Sequence, residues 1–250
     1  MAVGFGPEEV ERYARHLVLR EIGGPGQQRL KAARILIVGA GGLGAPAALY
    51  LAAAGVGVVG LVDPDVIALS NLQRQVLYAT AEVGELKVDR AADRLQALNP
   101  HVQIEAHAVT VAADNAADVV SGYDIVLDGT DNFPVRFAVN DACVAASKPL
   151  VSGAIGRWTG QIGVFAPGGP CYRCLVPESP PDAETCSAVG VVGALAGVIG
   201  SMMALEAIKL VAGAGEPLKG RLLIYDALAA ETRTVGLSRD PACPTCGPRA

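Results

Sequence analysis

Two sets of residues in this chain have types and spacings that do chemistry. Six cysteines occur, and four fall into two C-x-x-C pairs, Cys171-Tyr-Arg-Cys174 and Cys243-Pro-Thr-Cys246. In a reducing compartment that pattern points to one tetrahedral four-cysteine zinc site rather than a disulfide framework. A single C-x-x-C can be a redox pair; two of them favour metal. Four thiolates leave no open coordination position, so the site reads as structural. Cys143, inside the apolar pattern Ala138–Ala146, reads as core, and Cys186 stands in an acidic, proline-rich stretch. The second set is charged and polar: Asp63, Asp65, Asn71, Arg74, Lys87 and Asp131. Asp63 is placed to accept hydrogen bonds from ribose hydroxyls. Asn71 and Arg74 are candidate phosphate ligands, with a loop cap and a surface arginine as the alternatives. Asp131 is a candidate Mg²⁺ ligand, because Mg²⁺ usually takes one or two carboxylates plus phosphate oxygens and water. The alternative for Asp131 is a helix N-cap.

The elements that must position these residues are legible from periodicity. Ile35–Val38 is an apolar β-branched run, Gly39-Ala40-Gly41-Gly42-Leu43-Gly44 is a glycine turn, the Ala/Leu-rich segment to Ala54 is a helix, and Val58–Val62 is a second strand ending on Asp63. Strand, glycine turn, helix, strand and then an acid about 20 residues on is the context a dinucleotide-type phosphate turn requires. Phosphates would sit at the helix N-terminus, where free N–H groups and the dipole favour an anion. The motif does not choose between NAD, FAD and ATP. Lys87 is predicted to begin a helix through Leu98; a lysine in a first turn runs against the dipole and hints at an anionic partner. Val102–Ala108, Asp124–Asp128 and Leu150–Ser152 read as further strands, with helices over Asp114–Val120 and Asn132–Ala146. These give a doubly wound parallel sheet. Gln161–Phe165, Arg221–Tyr225 and Thr232–Gly236 read as antiparallel additions, and Val191–Leu210 as a buried helix. At the start, Pro7–Leu19 is predicted as one amphipathic helix that Gly23-Gly24-Pro25-Gly26 ends; Arg12 and Arg15 share it with acids and by spacing form a solvated face.

Composition removes several classes. Hydrophobic residues make up 51% of the 250 and charged residues 18%, so disorder does not describe the chain. A net charge of −5 with no polybasic run argues against a nucleic-acid binder. Two uncharged stretches, Ile35–Val62 and Ala188–Leu205, are interrupted by glycines and read as buried soluble elements rather than membrane spans. Glu8, Glu9 and Glu11 replace the basic-then-apolar pattern of a signal peptide, which predicts a cytoplasmic protein.

Taken in order, Gly39-x-Gly41-Gly42-Leu43-Gly44, Asp63-x-Asp65, Ser70-Asn71-Leu72-Gln73-Arg74-Gln75, Gly84-x-x-Lys87, Asp128-Gly-Thr-Asp131-Asn132 and the two C-x-x-C pairs resemble the ThiF/MoeB family of sulfur-carrier-protein adenylyltransferases, relatives of the ubiquitin-activating enzymes. The resemblance implies a Rossmann-like α/β fold: a doubly wound sheet, parallel in its N-terminal part and continued by antiparallel strands, with an N-terminal helix and a zinc site of four cysteines. It implies one adenylation domain over 1–250, with a helical arm at 8–30, a nucleotide-binding part at 31–153 and a carrier- and zinc-binding part at 154–250.

The same resemblance implies that the glycine loop holds ATP, that Asp63 binds its ribose, and that Asn71, Arg74 and Lys87 contact its phosphates. Asp65, Gln75 and Asn132 belong to the same nucleotide site, and Asp131 binds Mg²⁺. Arg15 is implied to reach into a partner subunit's ATP site, which makes the protein a homodimer and overrides the solvated-face reading. Cys171, Cys174, Cys243 and Cys246 match the zinc ligands. Cys186 matches a loop cysteine that in some members links covalently to the activated carrier. The implied substrate is the C-terminal Gly-Gly carboxylate of a small ubiquitin-like sulfur carrier. Because no rhodanese-like extension follows Gly247, sulfur is expected from a separate donor such as a cysteine desulfurase or rhodanese. The rival readings are an NAD-dependent oxidoreductase, which shares the glycine turn and Asp63 but leaves Arg74, Lys87 and Asp131 unexplained, and a non-catalytic carrier-binding subunit.

Overall fold

The run Arg34–Val38 forms a central strand, β1, and Ile35 through Val38 are buried on both faces. Burial on two sides is why the run is continuously apolar and not alternating. Ile35 and Ile37 face a layer with Leu51, Leu95, Ile199 and Met203, while Leu36 and Val38 face one with Val126, Phe137, Val139 and Tyr172. The computed structural model describes residues 4–179 and 190–247.

Around β1 lie β2 (Val58–Val62), β3 (Gln103–His107), β4 (Ile125–Asp128), β5 (Leu150–Gly156), β6 (Thr159–Phe165), β7 (Arg221–Asp226) and β8 (Glu231–Gly236). The strand order is β3-β2-β1-β4-β5-β6-β7-β8. β3 to β5 pair in parallel, and β5 turns the sheet antiparallel by pairing with β6. This is the mixed, doubly wound sheet the sequence predicts. The register sets Val38 beside both Val62 and Asp128, so the chain leaves β1, β2 and β4 at one edge. Strand order reverses beside β1, and in open α/β sheets ligands bind at such a switch point.

The helices are α1 (Pro7–Arg12), α2 (Ala14–Leu17), α3 (Gly23–Ala32), α4 (Gly44–Ala53), α5 (Lys87–Leu98), α6 (Ala116–Ser121), α7 (Phe133–Ala145), α8 (Tyr172–Leu175) and α9 (Gly193–Ala212). Two predictions at the N-terminus are corrected. The single helix over Pro7–Leu19 breaks at Tyr13, whose ring is buried against Gly55 and whose hydroxyl accepts a 2.9 Å hydrogen bond from Asn99 Nδ2. Anchoring that ring outweighs helix continuity. Gly23-Gly24-Pro25-Gly26 opens α3 instead of ending a helix, because Pro25 falls in a first turn where its missing N–H has no intrahelical acceptor. α9 is long and apolar enough by composition to cross a membrane, yet it packs along α4, β5 and β6 as a core helix.

Candidate nucleotide site and cysteine cluster

A cavity of about 380 Å³ opens at the edge where β1, β2 and β4 end. Its floor is the glycine turn. Gly39 has φ +91°, and a Cβ there would press on the Gly129 backbone at 3.2 Å. At Gly44 a Cβ would lie 1.8 Å from the Gly39 carbonyl oxygen, so only glycine lets α4 start this close to the turn. Gly39, Gly41, Gly42 and Leu43 line the cavity; Gly44 serves packing beneath it.

Asp63, Asp65, Arg74, Gln75, Lys87, Asp131 and Asn132 all line this one cavity. Asp63 is buried, accepting hydrogen bonds from Ala40 N at 2.8 Å and Asp65 N at 2.9 Å. Burial raises its carboxyl above the ordinary range, against the opposing pull of Lys87 and those two N–H groups. Lys87 Nζ lies 2.7 Å from Asp65 Oδ2 and 3.8 Å from Asp63 Oδ1. The first-turn lysine therefore has its charge met by two carboxylates of the β2 edge. The Asp65 carbonyl also accepts the Lys87 backbone N–H at 3.0 Å, which fixes where α5 begins. The Arg74 side chain donates to the Ser70 carbonyl at 3.1 Å and has no carboxylate partner among the described residues. Gln75 is buried, and its Oε1 has no donor among the described residues. The cavity thus offers a ligand the Arg74 guanidinium, which meets no carboxylate among the described residues, the paired Lys87 ammonium and the unmet Gln75 Oε1.

Asp131 sits exposed on the rim. The cap of α7 is Asn132, whose Oδ1 accepts Val135 N at 3.0 Å, so Asp131 is not an N-cap and its carboxylate is left as a hard oxygen donor. Asn71 behaves differently: its Oδ1 accepts Ala68 N at 3.3 Å, it caps a short 3-10 turn, and it is not in the cavity wall. Arg15 is exposed on α2 and also lies outside the wall of its own chain's cavity. Cys186 falls outside the described residues.

Arg136 is missed by sequence reasoning, since an arginine within a helix reads as a solvated charge. Here it is buried, paired with Asp128 Oδ2 at 3.3 Å and hydrogen-bonded to Ser152 Oγ at 3.1 Å. Its signal lay in helical phase: Arg136, Asn140 and Cys143 recur at i, i+4 and i+7, a single face that buries.

On the far side of α7 the four paired cysteines converge. Cys171 and Cys243 sulfurs are 3.6 Å apart, those of Cys174 and Cys246 3.3 Å, and all four lie within 4.8 Å of one another. A tetrahedral zinc with Zn–S of about 2.3 Å needs sulfurs about 3.8 Å apart. The donor set fits that ion. Asp141 ties both pairs to α7, accepting from Arg173 Nε and Nη2, each at 2.9 Å, and from Thr245 Oγ1 at 2.8 Å. Cys143 is core, as predicted, and burial pushes its thiol up to about 12.

A doubly wound sheet with a glycine turn and a charged cavity at its switch point defines a nucleotide-binding α/β protein. A model of the ThiF family matches residues 13–245, and the chain belongs to that family. It is 51% identical over 248 residues to the sulfur carrier protein adenylyltransferase of Thermus thermophilus, covering 96% of this chain and 92% of that protein. It is 51% identical over 250 residues to the probable adenylyltransferase/sulfurtransferase MoeZ of Mycobacterium tuberculosis, covering 97% of this chain but 64% of that longer protein. Among solved structures, E. coli MccB with succinimide superposes with a TM-score of 0.82 at 25% identity, covering 95% of this chain and 74% of that one.

Proposed function

We propose that this chain uses ATP to adenylate the C-terminal Gly-Gly carboxylate of a ubiquitin-like sulfur carrier, giving the acyl-adenylate and pyrophosphate ahead of sulfur transfer for molybdopterin, thiamine or thiolated-tRNA synthesis. The observation that carries this reading is the convergence of Asp63, Arg74, Lys87 and Asp131 on one cavity of a ThiF-family chain. The substrate carboxyl, with an ordinary pKa of about 3.5, is ionised at neutral pH, so no general base is required. What slows the reaction is repulsion between that anion and the triphosphate. Arg74 and Lys87 neutralise phosphate charge, and positioning over the glycine turn supplies the rest. Asp63 holds the ribose; Gln75 and Asn132 complete the nucleotide wall, with Asp65 orienting Lys87. Asp131 would hold Mg²⁺, which when bound shields the phosphate oxygens. The four clustered cysteines would hold a structural Zn²⁺.

In this reading the protein is a cytoplasmic homodimer in which Arg15, outside its own cavity, serves the partner's. Exposed Tyr50 on α4 and Val198 and Leu205 on α9 support an apolar dimer face. The arm is residues 8–30, the nucleotide part 31–153 and the carrier- and zinc-binding part 154–250. Cys186 is the candidate for a covalent link to the activated carrier, and sulfur comes from a separate cysteine desulfurase or rhodanese. ATP–pyrophosphate exchange with Mg²⁺ and candidate carriers tests the reading: exchange must appear with an intact Gly-Gly tail and vanish when the last glycine is removed. Exchange that ignores the tail, or none with any carrier despite ATP binding, overturns it.

A further inference from the structure

Arg136 is the one described arginine sunk inside the fold beside the nucleotide cavity, and its contacts tie the loop that carries Asp131 to β5. Its Nη1 reaches Asp128 Oδ2 and Ser152 Oγ, while Nη2 donates to the Gly153 carbonyl at 2.8 Å and to the Thr130 carbonyl. The Thr130 carbonyl belongs to the same peptide plane as the Asp131 nitrogen. Gripping that plane sets the direction in which Asp131 leaves the loop. The other side of the loop is fixed as well: Asp128 Oδ1 accepts Thr130 N at 3.0 Å and Thr130 Oγ1 at 2.6 Å, and Gly129 N donates to Val38 O at 2.9 Å. The guanidinium also lies over the Tyr172 ring, 5.8 Å from its centre, which keeps its plane from turning.

Only a planar fork with several donors can serve these four acceptors together, which lysine cannot do. We infer that Arg136 is a positioning residue for the proposed reaction: it holds the Asp128–Asn132 loop so that the Asp131 carboxylate is presented to a nucleotide-bound divalent cation. The inference rests on the proposed nucleotide reading. Altering a residue that orients a metal ligand from behind typically costs about 10-fold to 100-fold in metal affinity.

Equilibrium dialysis of labelled ATP against the full-length protein over a series of Mg²⁺ concentrations tests it. R136K is expected to raise the half-saturating Mg²⁺ by about 10-fold to 100-fold, leave ATP affinity in excess EDTA within about twofold, and unfold cooperatively. D131N also raises the Mg²⁺ requirement, and the R136K/D131N double variant does no worse than D131N alone, because both act on one ligand. An unchanged Mg²⁺ dependence in R136K, effects that add, or ATP affinity lost equally with and without Mg²⁺ overturns the inference. If R136K does not fold, D128N/R136Q, which removes both charges of the buried pair together, enters the same cycle. A wild type that binds no ATP under any condition retires the nucleotide reading itself, and this inference with it.

Discussion

The two ends of the sheet are held by different physics. In the parallel end, β1 and β4 lie between two apolar layers, and the polar groups of the cavity hang from the rim of that core. At the antiparallel end, β8 is exposed at all six positions, and the cysteine lobe is pinned by Asp141, by Tyr172 N donating to Asn140 Oδ1 at 2.7 Å, and by its four sulfurs. The first end owes its rigidity to buried area. The second depends on a few directional contacts, so single changes there cost folding, whereas at the cavity rim they cost chemistry.

Arg74→Ala sharpens the contrast most. With no ion pair to lose, it is expected to lower carrier-dependent exchange by about 100-fold or more. Its thermal midpoint stays within about 2 °C of the wild type, as for a surface change. A fall in midpoint that tracks the lost exchange breaks the division. At the other end, Cys174→Ser is expected to release bound zinc, read by elemental analysis, and a loss on the order of 3 kcal/mol lowers the midpoint by roughly 10 °C. ATP binding at the parallel end persists below that temperature; its disappearance contradicts two independently held ends.

The smallest effect belongs to Asp141→Asn, about 1 kcal/mol after allowing for solvent screening at a partly exposed carboxylate. Burial works to raise the Asp141 pKa, but hydrogen bonds from Arg173, Thr245 and Asn140 together hold it below the ordinary value. Its stabilisation is therefore complete above the ordinary carboxylate range near pH 4 and is lost as pH falls through the lowered value. Denaturation curves between about pH 2 and 5 check this: wild type loses stability over that window faster than Asp141→Asn. Parallel acid limbs exclude the carboxylate.

Much of this was readable in the chain. The strand–glycine turn–helix–strand unit, the start of α5 at Lys87, and the convergence of the cysteine pairs follow from local rules: a β-branched run, a turn only glycine permits, metal-ligand spacing. What local rules leave open is decided by partners that the folded chain supplies. Tyr13 breaks its helix for Asn99, more than eighty positions away. Asn71 is a cap because Ala68 needs an acceptor, which the side-chain type leaves open. Arg136 inverts the surface expectation for arginine because Asp128 and Ser152 arrive on two other strands. Arg15 lies outside its own cavity, and any role across subunits belongs to an assembly that periodicity in one chain does not describe.

α7 begins directly after Asp131 and Asn132, grips the loop behind it through Arg136, and a turn later carries Asn140 and Asp141 to the cysteine lobe. Adding or deleting one residue between Arg136 and Asn140 would swing one set by about 100° relative to the other. Neither the Asp128–Asn132 loop nor the cysteine knuckle can thus be exchanged alone between relatives. Any chimera has to splice outside 128–175, because the phase of a single helix encodes the alignment of two chemically unrelated centres.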